Sequence, residues 1–106
     1  MKYPNMREEL LQYLDVLERG DSKNLDYAVH FLFDDTVLAD APERAVGAFL
    51  YNSTESDALR RVVGALERVL KKYGTTMPNA DYVRTPEWGD VAAESRAARE
   101  LLSRSV

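Results

Sequence analysis

The sequence predicts an all-α single domain, a compact helical bundle of about five helices (four long, one short) spanning residues 1–106. Three observations point there. Apolar residues recur at three- and four-residue spacing through most of the chain. Pro, Gly, Asp and Thr stand where those runs begin and end. The one alternating stretch, AVHFLF at 28–33, fits the longer helical period at more positions than a strand's period of two. The length suits one domain with a modest core. With 45% apolar residues and a net charge of −4, the composition lies outside the disordered class. About three-quarters of the residues are expected in helices, against roughly one-third in ordinary globular proteins.

The first helix runs from about Pro4 to Arg19. Pro4 suits its opening turn, Glu8 and Glu9 complement the helix dipole, and Gly20 is a left-handed cap. Met6, Leu10, Tyr13, Leu14 and Leu17 share one stripe. A second helix, capped by Asp21 or Ser22, reaches about Val37 with Leu25, Ala28, Val29, Leu32, Phe33 and Thr36 on its main face. Tyr27, Phe31 and Leu38 form a second apolar strip roughly opposite, which makes this helix either central or half of a homodimer surface.

Asp40-Ala-Pro-Glu43 opens a short helix from about Ala41 to Tyr51 that buries Ala45, Val46, Phe49 and Leu50. Asn52-Ser53 breaks it. Thr54 then caps the longest helix, about Glu55 to Tyr73, stopped by Gly74. Residues 75–85 exceed the usual ~2–8 residues between bundle helices and must pack over something, through Met77, Tyr82 and Val83. Thr85-Pro86-Glu87-Trp88 opens the last helix, which buries Trp88, Val91, Ala92, Ser95, Ala98 and Leu102. Helices two and four are expected at the centre.

The composition excludes much chemistry. Without cysteine there is no disulfide framework, thiolate nucleophile or Cys-ligated zinc, and one histidine leaves little for a triad or a His-rich metal site. No apolar run reaches the ~18 residues of a membrane span. The amphipathic start, MKYPNMREELLQYL, does not resemble a signal peptide, so a cytoplasmic protein is expected. Phosphate-cradling glycine motifs and a nucleophile elbow are absent. No cofactor and no metal are expected, and no enzymatic activity.

His30 and Asp34 lie four apart, within reach of each other on a helix; the modest reading is an ordinary helix pair, the other a ligand site. Asp34 and Asp35, as adjacent helical residues, point about 100° apart and do not share a site by spacing alone. Asp35 falls at the margin of the apolar stripe and Arg99 within that of the last helix, so either an Asp35–Arg99 contact joins the two helices or Arg99 snorkels outward and Asp35 is solvated. Arg60, Arg61, Arg68, Lys71 and Lys72 fill one helix face, but the acid partners Asp57 and Glu67 stand four residues before Arg61 and Lys71. Interleaved aromatics are missing, so no nucleic acid is expected. Trp88, with Tyr82 and Met77, stands where a cleft beside the long loop would be lined, although Trp in the first turn of an amphipathic helix is more often a core anchor.

Charge is unevenly divided: residues 1–59 carry −7 and residues 60–106 carry +3. Two bundle faces attracting each other would explain this, and an acidic surface facing a basic partner would use it. The leading expectation is a protein–protein interaction module, immunity- or adaptor-like. It would meet its partner through Asp26, Asp34, Asp40, Glu43, Tyr27 and Phe31, with Asp15 and Glu18 adding to the acidic first half. The alternative is a small-ligand- or metal-binding protein with a site at His30, Asp34 and Asp35 or at the Trp88 loop.

In order along the chain, YAVHFLFDDTVLAD (27–40), VGAFLYN (46–52), LRRVVGALERVL (59–70) and PEWGDVAAESRAA (86–98) resemble a family of small uncharacterised helical proteins from actinobacteria. The similarity covers roughly residues 25–102. It implies a soluble bacterial protein, and with no established activity in that family it carries over no functional residue.

Overall fold

Pro4 and Gly20 bound the first helix as their chemistry requires. In the computed structural model, which describes residues 2–104, α1 spans Pro4–Arg19. Gly20 ends it at φ 63°, its N–H reaching the Leu17 carbonyl and that of Asp21 the Val16 carbonyl. The chain continues through α2 (Leu25–His30), a π-helical turn at Phe31–Asp35 and a 3₁₀ turn at Pro42–Ala45. Then come α3 (Ser53–Tyr73), the short α4 (Asn79–Tyr82) and α5 (Trp88–Arg104). The protein is all-α, 71% helical, with no strand among the described residues.

Contacts at the helix ends set the directions. Trp88, at the start of α5, meets Leu17 near the end of α1, while Leu102 near the end of α5 meets Arg7. Lys72 near the end of α3 meets Glu87, and Glu55 at its start meets Arg7. So α1 and α3 run parallel, and α5 lies antiparallel against both. Leu10, Leu14 and Leu17 meet Leu59, Val62 and Leu66 and the buried Val91, Ala98 and Leu102 in one core. The fourth predicted helix is central as expected. The second is not, and α5 takes its place. The small residues Ala92, Ser95 and Ala98 let α5 approach its neighbours closely, whereas α2 packs mainly on α1.

Two predicted helices are shorter than expected. Asp21 does not cap α2: its carboxylate accepts from the Lys23 N–H and the Asn24 amide, holding a turn, so the helix begins at Leu25. At the other end Thr36 is extended. Its hydroxyl donates to the Phe31 carbonyl at 2.9 Å and accepts from the Leu38 N–H at 3.2 Å, competing with the helical ladder and ending it before Val37. The segment Ala41–Tyr51 is not a helix either. After the 3₁₀ turn, Gly47 sits at φ 90° and its N–H bonds to the Leu50 carbonyl at 2.8 Å, reversing the chain. Ala45, Phe49 and Leu50 are buried as expected, but by a turn, and Val46 is exposed. The short helix of the five is therefore α4, inside the predicted loop.

The strip Tyr27/Phe31/Leu38 is divided. Phe31 packs on Tyr13 with ring centroids 4.9 Å apart, and Leu38 is wholly buried, while Tyr27 stands 65% exposed. Of the two alternatives for this strip, inner packing holds for Phe31 and Leu38, and only Tyr27 is left to a partner surface.

The Asp35–Arg99 contact does not form. Arg99 reaches Glu18 of α1, with both Nε and Nη2 on Oε1 at 2.9 and 2.5 Å. Asp35 is exposed instead of marginal because the π turn swings it outward. In double-mutant cycles, Glu18→Gln with Arg99→Met should show a coupling of about 0.5–1 kcal/mol, as suits a half-exposed pair. Asp35→Asn with Arg99→Met should be additive. Chemical unfolding of the five variants, three single and two double, and of the parent measures both.

Candidate functional site

The most saturated polar cluster was not anticipated from the sequence. Arg7 lies three residues before Leu10 and seven before Leu14; Glu55 lies four before Leu59 and seven before Val62. Both charges therefore extend the apolar stripes of their own helices into the core. Arg7 donates to both carboxylate oxygens of Glu55 at 2.8 Å, to the Phe49 carbonyl at 3.1 Å and to the Leu102 carbonyl at 2.9 Å. Its guanidinium also lies 4.0 Å from the Tyr51 ring centre. The bond to Glu55 raises the Arg7 pKa against the opposing effect of burial.

Glu55 is held from the other side too. Asn52 caps α3 by accepting from the Glu55 N–H at 3.0 Å, and Glu55 reaches back to the Tyr51 N–H at 2.7 Å. The spacing Asn52-x-x-Glu55 is a capping box, the signal that could have revealed this start in place of Thr54. With its hydrogen-bonding capacity taken up by the chain itself, the cluster ties α1, α3, α5 and the 45–51 turn together.

The expected surface site lies on α2. His30 Nδ1 stands 2.7 Å from Asp34 and Nε2 stands 3.3 Å from Asp35, all three side chains well exposed. Helical geometry separates neighbouring carboxylates, but in a π turn residues i+4 and i+5 both lie over residue i, which brings Asp34 and Asp35 to opposite nitrogens of one imidazole. Among the described residues no group of three or more His, Asp or Glu is placed to hold a metal ion. Asp26, Tyr27, Val29, His30 and Asp34 line a shallow depression of about 410 Å³.

Asp26 and Val29 also belong to a deeper cavity of about 300 Å³, walled by Leu66, Val69, Leu70, Met77, Tyr82 and Trp88. Trp88 is thus both core anchor and cavity wall. Its Nε1 donates to the Leu17 carbonyl at 3.1 Å, and the ring is 6% exposed. Trp88 and His30 do not line a common depression, but the two depressions adjoin through α2. The loop over the cavity is anchored by Tyr82, as expected. Its hydroxyl donates to the Gly74 carbonyl and accepts from the Met77 N–H.

Glu87 latches that loop. Lys72 Nζ and the Tyr73 hydroxyl each donate to it at 2.5 Å, and these bonds, Lys72 first, hold its carboxyl at a pKa of about 2 against an ordinary 4.5. A carboxyl depressed by folding stabilises the folded state above its unfolded pKa, and that contribution drains away as pH falls through the folded value. Glu87→Gln should therefore flatten the fall in stability between pH 4.5 and about 2, read as the difference between parent and variant unfolding curves.

The remaining acids divide. Glu43 is held by Arg60 at 2.9 Å, whereas Asp40 is exposed. The basic face of α3 pairs across elements, Arg60 with Glu43, Arg61 with Glu94 at 4.0 Å and Lys72 with Glu87, in place of the pairs along the helix expected from Asp57 and Glu67. Part of the charge asymmetry is thus internal, as Glu43–Arg60 and Glu18–Arg99 both join the acidic first half to the basic second. No described helix is long and apolar enough to cross a membrane.

No curated protein and no solved structure matches the chain. A family model described as a domain of unknown function, DUF7945, matches residues 1–105, and the chain belongs to that family.

Proposed function

We propose that this is a non-enzymatic, cytoplasmic interaction module, which meets a basic protein partner through the exposed face of α2. The observation that carries this reading is a set of carboxylates that the chain leaves without Lys or Arg. Among the described residues Asp26 and Asp40 enter no ion pair, and Asp34 and Asp35 meet only His30. Tyr27, exposed beside them, adds the aromatic contact that interfaces favour. Glu43 and Phe31 leave the contact set, the one engaged by Arg60 and the other buried.

Capture by the tagged protein from a lysate of its own organism, at low and then physiological salt, tests this. One stoichiometric basic partner, weakened by salt and lost with Asp26→Lys/Asp34→Lys, is the expected result. Equal capture by parent and charge-reversed protein would refute the acidic-face reading.

A second reading is favoured by the cavity beside Trp88: a small-ligand-binding protein. The cavity stands at the lower end of the range that small-molecule sites occupy, about 300–1,000 Å³. A ligand that seats there raises the melting temperature, and the rise grows with the logarithm of ligand concentration above its Kd.

A further inference from the structure

We propose that the Trp88 cavity takes a small organic cation, an amine bearing one aromatic or branched aliphatic group. This rests on the small-ligand reading above and names the ligand class. The cavity's volume of about 300 Å³ holds a single ring with a short chain. Its walls at Leu66, Val69, Leu70 and Met77 offer such a group an apolar surface, to which the aromatic side chains of Tyr82 and Trp88 add.

The polar groups decide the charge. Trp88 Nε1 is committed to the Leu17 carbonyl, the Tyr82 hydroxyl proton to Gly74, and the Asn79 amide to the Ser22 carbonyl at 3.4 Å. The ring donors of the wall are therefore spent on the fold, leaving only neutral groups, the second Asn79 N–H and the hydroxyls of Thr75 and Thr76, and those hydroxyls can equally accept. Among the described residues, Asp26 is the only charged one lining the cavity, and it enters no ion pair with any of them. The adjoining depression adds Asp34 to the same side. An anion or phosphate ester entering here meets a carboxylate and no cation. An ammonium group meets the one thing the wall lacks, and its apolar body fills the rest.

Trp88 is the only tryptophan, so its fluorescence reports on the cavity directly. Phenethylamine, phenethyl alcohol and phenylacetate share a ring and differ in head-group charge. Titrated into the intact protein at low salt, the amine should bind about three- to tenfold more tightly than the alcohol, with the acid weakest. Added salt should narrow the difference. Asp26→Asn, at an exposed position, should bring the amine to the affinity of the alcohol and leave the alcohol unchanged. Val29→Phe, which intrudes on the cavity, should weaken all three. Equal binding of amine and alcohol, or tightest binding of the acid, overturns the cation class while the cavity reading stands. Saturable binding by none of the three, in fluorescence or in amide chemical shifts of the wall residues, overturns the cavity reading and the proposal together.

Discussion

Glu55→Ala should cost the protein about 3–5 kcal/mol of unfolding free energy, because it strands a buried guanidinium without its counter-charge. A domain of this kind has roughly 5–15 kcal/mol in all, so the variant should sit near the edge of folding. The double variant Arg7→Met/Glu55→Leu should recover part of the loss but not all of it. In a simple buried pair, apolar replacement can break even. Here the pair also serves three backbone groups: the Phe49 and Leu102 carbonyls accept from Arg7, and the Tyr51 N–H donates to Glu55. Leu102 lies in the last turn of α5, where carbonyls lack helical donors and a cation is favoured; Glu55 lies in the first turn of α3, where an anion is favoured. Each backbone group left dry costs about 1–3 kcal/mol. Urea unfolding of the two single variants and the double measures the coupling. A loss below about 1 kcal/mol for Glu55→Ala would show that water reaches the cluster.

Trp88→Ala should cost about 3–5 kcal/mol, and Trp88→Phe only about 1 kcal/mol. The ring is buried between the end of α1 and the cavity, so truncation enlarges a void that already holds about 300 Å³. Phenylalanine keeps most of that packing and forfeits the bond to Leu17. That carbonyl is not orphaned by the change, since it also accepts the Gly20 N–H at 3.3 Å in the helix cap. Thermal and urea unfolding should therefore place the two variants several kcal/mol apart. If Phe proves as costly as Ala, the hydrogen bond rather than the ring holds α5 against α1.

The two functional readings are physically compatible. Asp26 borders both depressions on α2, so a carboxylate that attracts a basic protein surface would also select an ammonium group for the cavity. The variants separate them. Leu66→Ala should alter the cavity for amines, while Tyr27→Ala acts on the exposed face alone, because Leu66 lines only the cavity and Tyr27 only the shallow depression.

Signals carried by a few neighbouring residues were legible in the chain. The apolar period placed α1, α3 and α5 to within a few residues, and Pro4, Gly20 and Gly74 marked their ends where expected. The 75–85 loop could be read as packed, with Tyr82 as its anchor, because a long connection in a small domain must bury something. Local competition was harder to weigh. Thr36 and Gly47 redirect the backbone in two segments whose apolar spacing alone suits a longer helix, and the π turn that places Asp34 and Asp35 on His30 breaks the 100° rule applied to them.

The partners of charged groups that pair between helices were decided by the tertiary structure alone. Arg99 sits inside an apolar stripe and needs an acid, which its spacing correctly implies. Nothing local distinguishes Glu18 from Asp35 as that acid, because the choice depends on α5 lying along α1. Arg7 and Glu55 are 48 residues apart and each looks like an ordinary helix charge until α1 and α3 run parallel and close over them. Periodicity and capping are properties of a single helix and survive in its sequence. Pairing is a property of two helices in contact, and it comes into being only when the core has set their directions.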